Sequence, residues 1–331
     1  MLLRSNRRSF LVGGMGLALA LGITPGAKAA EGTVVVYTAH KASIVDRLLP
    51  LFEAETGLKV DVVKMGTSDV IRRANAEKDN PAADVIWSIT GSALDENEHL
   101  LEPYQSKHQG AIQQQFLGSQ NWTPYTAVVY VVVANSKLVA SDQMPKSWAD
   151  LVAPKWKGQL ASARADGSGS ALQQLQTVLT IFGDKGWETY DSIAANFVLT
   201  DSSSAVPRFV ADSEASLGLT LEDNALEYVK GGAPVKTIYL SDGTAVAPDG
   251  VALVKGGKNP EGGKAFIDWA LSKTTQEALV KEIGRRSVRT DVDGPEGTPA
   301  LSELNLVSVK SLSELGGTET VLQRWRQAIG E

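Results

Sequence analysis

Residues 33–87, TVVVYTAHKASIVDRLLPLFEAETGLKVDVVKMGTSDVIRRANAEKDNPAADVIW, decide the fold. Thr33–Thr38 is an unbroken β-rich run, the pattern of a strand buried on both faces of a parallel sheet. Ser43–Thr56 sets Ile44, Leu48, Leu49 and Phe52 at three-to-four spacing and stops at Gly57, so it reads as a helix. Leu58–Lys64 is a second strand. Gly66-Thr67-Ser68 then offers N-cap chemistry to a second helix over Asp69–Ala76. Ala83–Trp87, introduced by the Asn80-Pro81 break, is a third strand. Strand–helix–strand–helix–strand at this spacing predicts right-handed βαβ units and an open, mostly parallel sheet.

Further along, Tyr125–Asn135 is a long β-branched run. Gln159–Ala163 reads as a strand, Gly169–Phe182 and Gly186–Ala195 as helices. The alternation continues through Val206–Ala211, Ala215–Thr220, Asp223–Gly231 and Val235–Tyr239. Val246–Lys255 is a second long strand-like run, and the remainder is largely helical. Two long strands bracketing the middle of the chain predict two α/β lobes joined by two crossings. Lobe 1 is expected to hold residues 30–127 and 244–331, and lobe 2 residues 128–243.

At the N-terminus, Arg4, Arg7 and Arg8 precede 13 mostly apolar residues, Leu11 to Ile23, and Ala27-Lys28-Ala29 follows. Basic, apolar and small segments in that order predict a secretory signal over residues 1–29, too short in its apolar part to span a bilayer. Asn6-Arg7-Arg8-Ser9-Phe10-Leu11 is similar to the twin-arginine export motif; an ordinary secretory signal with two incidental arginines is the alternative. Removing this segment takes away four cations and leaves 28 Lys and Arg against 38 Asp and Glu, a formal charge of −10. No basic footprint for nucleic acid is present. The chain has no cysteine, so stability must come from its buried core.

Five stretches carry a family resemblance: VVVYTAH (34–40), LFEAETGLKVDVVKMGTSDVIRRANAEKDNPAADVIWS (51–88), SWADLVAPKWKGQLASA (147–163), LEDNALEYVKGGAPVKTIYLSDGT (221–244) and GRRSVRTDV (284–292). They resemble the class II periplasmic solute-binding proteins of ABC importers, in the cluster for iron(III), aminoethylphosphonate, sugar phosphates and thiamine. The resemblance implies an α/β fold of two lobes, a ligand in the cleft between them, hinge closure, and a permease in the inner membrane as partner. The expected protein is a periplasmic monomer, not an enzyme, with no cofactor.

Open α/β sheets bind ligands at the carboxyl ends of their strands. In the first lobe this singles out His40 and Lys41, then Gly66, Thr67 and Ser68, then Ser88 and Thr90. A glycine permits close approach, hydroxyls donate, and a helix N-terminus favours an anion. Capping of the helix alone would also explain Thr67 and Ser68. In the second lobe Arg164, Ser168 and Ser170 surround a glycine-rich turn at a helix start, and Asp201 and Ser202 lie in a neighbouring cluster. Asp223 opens a helix, where an acid caps well, or faces a ligand amine or hydroxyl. Arg285, Arg286 and Arg289 suit an anion site or packing between elements equally.

Ferric iron is held in this family by adjacent tyrosines, and none of Tyr37, Tyr104, Tyr125, Tyr130, Tyr190, Tyr228 and Tyr239 neighbours another. No metal site is expected. A small anionic organic solute, a phosphonate or phosphate ester, fits hydroxyl-rich helix starts better; a ferric-binding protein of the same family is the alternative. A hydrolase is disfavoured, because G-x-S-x-G, H-E-x-x-H and P-loop motifs are all missing. The export reading gives a direct test. Replacing both Arg7 and Arg8 by Lys is expected to block export while leaving Sec substrates untouched, scored by fractionation; unimpaired export overturns the twin-arginine assignment.

Overall fold

The computed structural model describes residues 32–331, so the signal segment 1–29 and its cleavage lie outside the described residues. The chain begins with β1 (Thr33–Thr38), α1 (Ala42–Thr56), β2 (Lys59–Lys64), α2 (Thr67–Ala76), β3 (Val85–Thr90) and the short α3 (Gly91–Asp95). Each step follows from the local pattern. In α1, Ile44, Leu48, Leu49 and Phe52 form the buried face, and Gly57 ends the helix in the left-handed region at φ 74°. β1 lies parallel to both β2 and β3, as the βαβ pattern requires.

After the short β4 (Leu101–Glu102) comes β5 (Thr123–Asn135), 13 residues that are all buried. Next are β6 (Leu160–Ala163), α4 (Gly169–Phe182), α5 (Gly186–Ala194), β7 (Phe197–Thr200) and α6 (Val206–Ala211). They lead into β8 (Leu217–Leu221), α7 (Glu222–Lys230), β9 (Val235–Ile238) and β10 (Val246–Val254). The chain closes with α8 (Pro260–Ala270), α9 (Lys273–Ala278), β11 (Arg286–Ser287) and α10 (Thr318–Ala328).

Along the sheet the strands run β2-β1-β3-β10-β5-β8-β6-β7. The three strands at each end are mutually parallel, and the strands between them are antiparallel, so the sheet is mixed. β5 belongs to both halves. Thr123 to Val129 pair with β10, and Tyr130 to Ala134 pair with β8. The first half is packed by clusters that include Phe52, Trp87, Phe266 and Trp269 on one face and Val70, Ile86 and Leu94 on the other. The second half is packed by Trp148, Leu175, Tyr190 and Leu217, with Val206 and Val210 on its opposite face.

The chain returns from the second half through the segment 239–245, which leads directly into β10, the second long strand. There Thr244 donates its hydroxyl to the Tyr130 carbonyl at 2.5 Å. One expectation needs correction: the last C-terminal residues do not stay with lobe 1. Leu312, Val321 and Trp325 are buried in the core of the second half, and Arg324 pairs with Asp191. An amphipathic helix goes wherever its apolar face is covered, and sequence periodicity does not say where that is. Trp325 is fully buried, so Trp325→Ala is expected to cost about 3–5 kcal/mol in urea unfolding. A substitution at exposed Leu138 should stay within about 0.5 kcal/mol.

Candidate functional site

The carboxyl ends of all six parallel strands open onto one cavity of about 340 Å³. From the first half, the loop after β1 contributes His40 and Lys41, the end of β2 and the start of α2 contribute Lys64, Gly66 and Thr67, and the end of β3 contributes Ser88 and Thr90. From the second half come Ser168, Gly169 and Ser170 after β6, Asp201 to Ser204 after β7, and Asn224 after β8. Asp249 and Arg285 complete the floor.

Four helices, α1, α2, α4 and α7, begin at this cavity. Ser168 caps α4, accepting from the Ala171 N–H at 3.4 Å, whereas α1, α2 and α7 have no side-chain cap. Their first-turn N–H groups and positive dipole ends are therefore available to a negative charge.

Two glycines bring the halves into contact above the cavity. A methyl group on Gly66 would lie 2.7 Å from the Gly167 carbonyl oxygen. One on Gly169 would lie 2.9 Å from Thr90 Cγ2 and 3.0 Å from Thr67 Oγ1. Only the absence of a side chain lets the rims of α2 and α4 approach this closely.

The floor is charged and buried. Arg285, 5 % exposed, donates through Nη2 to Asp249 at 2.5 Å and through Nε to Thr126 at 3.1 Å. Ser88 donates to the same Asp249 oxygen at 2.8 Å and holds φ at 58°, an uncommon backbone for a non-glycine residue. Burial pushes the Asp249 carboxyl above its ordinary range, against the pull of Arg285. Lys41 pairs with Glu227 at 2.8 Å and with Asp223 at 3.4 Å. His40, 3 % exposed, packs edge-on to Trp87 with ring centroids 4.4 Å apart, and neither ring nitrogen has a hydrogen-bond partner. Burial, then the charges of Arg285 and Lys41, hold its pKa well below the usual histidine value, so the ring is neutral.

Of the residues singled out in sequence, His40, Lys41, Gly66, Thr67, Ser88, Thr90, Ser168, Ser170, Asp201 and Ser202 line this cavity. Ser68 lies one residue past the rim, and Asp223 sits beneath the lining, at ion-pair distance from two lining cations. Arg164 is elsewhere. Its guanidinium is gripped by Asp166 at 3.0 Å and Glu331 at 2.7 Å and stacks over Trp325, which ties the C-terminus to the second half. Asp249 and Asn224 were missed, and Arg285 was not separated from its neighbouring arginines. A lone acid inside the apolar run Val246–Val254 was the available signal for Asp249.

Two α/β halves with a polar cleft at their strand ends define a class: the two-lobed periplasmic binding fold. The solved structure of the periplasmic binding protein AfuA from Actinobacillus pleuropneumoniae, with fructose-6-phosphate bound, shares it. Its TM-score is 0.83 at 24% identity, covering 91% of this chain and 99% of that one. Residues 33–282 match the model of the bacterial extracellular solute-binding proteins, and the chain belongs to that family. A putative 2-aminoethylphosphonate-binding periplasmic protein of Salmonella typhimurium is 28% identical over 73% of each chain. An Fe(3+)-binding periplasmic protein of Serratia marcescens is 26% identical over 80% of this chain and 81% of its own. The protein is a periplasmic solute-binding component of the ABC-importer kind, not an enzyme.

The glycine contacts give a test of closure. Gly66 has φ −70° and Gly169 is helical, so alanine suits both backbones. Gly66→Ala and Gly169→Ala are expected to fold normally and to hold the halves apart, giving a larger radius of gyration in small-angle scattering than wild type.

Proposed function

We propose that this protein captures a small anionic organic solute, a phosphonate or phosphate ester, between two closing lobes and delivers it to its permease. One observation carries the reading: uncapped helix N-termini, serine and threonine hydroxyls and the cations Lys41 and Arg285 converge on one cavity from both halves of the sheet. A tetrahedral oxyanion has several acceptor oxygens and uses donors arriving from opposite sides. Among the described residues the hydroxyls lining the cavity belong to serine and threonine, not tyrosine, which suits phosphorus oxyanions rather than ferric iron. Relatives named for aminoethylphosphonate, and a fold neighbour solved with a sugar phosphate, point the same way. The chain acts as an exported monomer whose lobes meet along β5 and the segment 239–245.

A thermal-shift screen of phosphonates, sugar phosphates, polyamines, thiamine and ferric citrate tests the class. Stabilisation by an oxyanion ester supports the reading, and stabilisation only by a polyamine, thiamine or iron overturns it. With the compound so found, hydrogen bonds to a charged oxygen contribute roughly 1.5–3 kcal/mol each. Thr67→Val and Ser170→Ala are therefore expected to weaken calorimetric affinity by roughly ten- to a hundredfold. Ser68→Ala, just outside the cavity, should bind as wild type does.

A further inference from the structure

Asp223 is bonded in an unusual way. It lies on the first turn of α7, in the second half, and its side chain is 4 % exposed. Its Oδ2 is 3.4 Å from the Nζ of Lys41 and 3.5 Å from the Nη1 of Arg285, both on the first half. Yet this oxygen accepts no hydrogen bond. Each cation has a shorter partner, Glu227 at 2.8 Å for Lys41 and Asp249 at 2.5 Å for Arg285. Glu222, the preceding residue, shows what a permanent bridge looks like here: Arg286 grips it at 2.7 and 2.8 Å, and Tyr239 donates to it at 2.6 Å. Asp223 is thus at ion-pair distance without hydrogen-bonded geometry, and Lys41 and Arg285 both line the cavity.

Three carboxylates, Asp223, Glu227 and Asp249, face two cations on this floor. An anion approaching Lys41 and Arg285 meets two buried carboxylates, Asp223 and Asp249, already set against these cations where charge is weakly screened, whereas Glu227 is half exposed and Lys64 adds a cation to the rim. Glu227 and Asp249 are held by short bonds, so the loosely bound carboxylate is the one to yield.

We propose that Asp223 is an internal stand-in for the ligand's anion. It bridges the halves through Lys41 and Arg285 when the cleft is empty, and an incoming oxyanion takes its place on the same two cations. Asp223 is a positioning residue in this account, one that sets both the closed population and the affinity. The bridge rests on long contacts, so its contribution to closure is smaller than the repulsion it exerts on a bound anion. Removing its charge should therefore open the empty protein and strengthen anion binding together, whereas a residue needed only for packing would weaken both.

The competition half of this proposal rests on the anionic-ligand reading; the bridge does not. The test uses the full mature chain, with inorganic phosphate and methylphosphonate as probes. Asp223→Asn is expected to increase the ligand-free radius of gyration in small-angle scattering and to tighten calorimetric affinity for a probe about tenfold. Asp223→Glu should restore wild-type behaviour. Lys41→Gln cuts the same bridge from its other end, so it should also open the empty protein, but it should weaken the probe. Unchanged scattering for Asp223→Asn, or for Lys41→Gln should the first variant not fold, overturns the proposal, as does weaker probe binding by Asp223→Asn. If wild type binds neither probe, the competition half falls while the thermal-shift screen still decides the ligand class, and the scattering alone then supports or overturns the bridge.

Discussion

Thirteen consecutive buried residues, Thr123 to Asn135, form the one strand on which both halves of the sheet are built. Its hydrogen-bond partners change between Val129 and Tyr130, from β10 to β8, while the backbone runs on. A strand buried along its length must pair its N–H and C=O groups along both edges, so each half is fixed in register to the same ruler. The β-branched run AVVYVVVA (127–134) supplies the side chains that make such burial favourable. Beside the changeover, Thr244 is tied to Tyr130 and, through backbone bonds, to Asn305 and Val307. Three chain segments therefore meet at one level, where the two halves are joined.

From that junction the ionic architecture follows. Arg285 and Arg286 stand next to β5 through the pairing of Arg286 with Ala127. Successive residues there reach opposite ways, Arg286 to Glu222 and Arg285 to Asp249 and Asp223. Burying so many charges is poor value as stabilisation, since desolvation offsets most of the attraction. Its use lies in geometry. Glu222 fixes the start of α7 against the first half with short, fully satisfied bonds, and Asp223, one residue on, is left with long ones. The same turn of helix thus holds a fixed contact and a displaceable one.

The α/β elements were legible because they depend on local pattern. Hydrophobic runs, three-to-four spacing and terminal glycines set β1, α1, β2 and α2 within two residues of their observed bounds. The site's address was legible for the same reason: once strands alternate with helices, their carboxyl ends are the only place where many helix starts can gather. Most of the serines, threonines and glycines singled out there do line the cavity.

What the tertiary structure alone decided is which distant pieces meet and which way long side chains turn. Arg164 sits in a loop that reads as a binding loop, yet it folds back on Asp166, Glu331 and Trp325, because the C-terminal helix docks on the second half. Asp249 in β10 and Arg285, the residue just before β11, lie 36 residues apart in sequence, and the pairing of both strands with β5 makes them neighbours beneath the cavity. Ser88 and Thr90 belong to β3 rather than to the loop after it, because the strand is prolonged by its antiparallel partner β10. Local sequence determines whether a segment becomes strand or helix, through steric and burial preferences a few residues long. Partner choice is a non-local competition for buried surface and hydrogen bonds, settled only when the whole chain is packed.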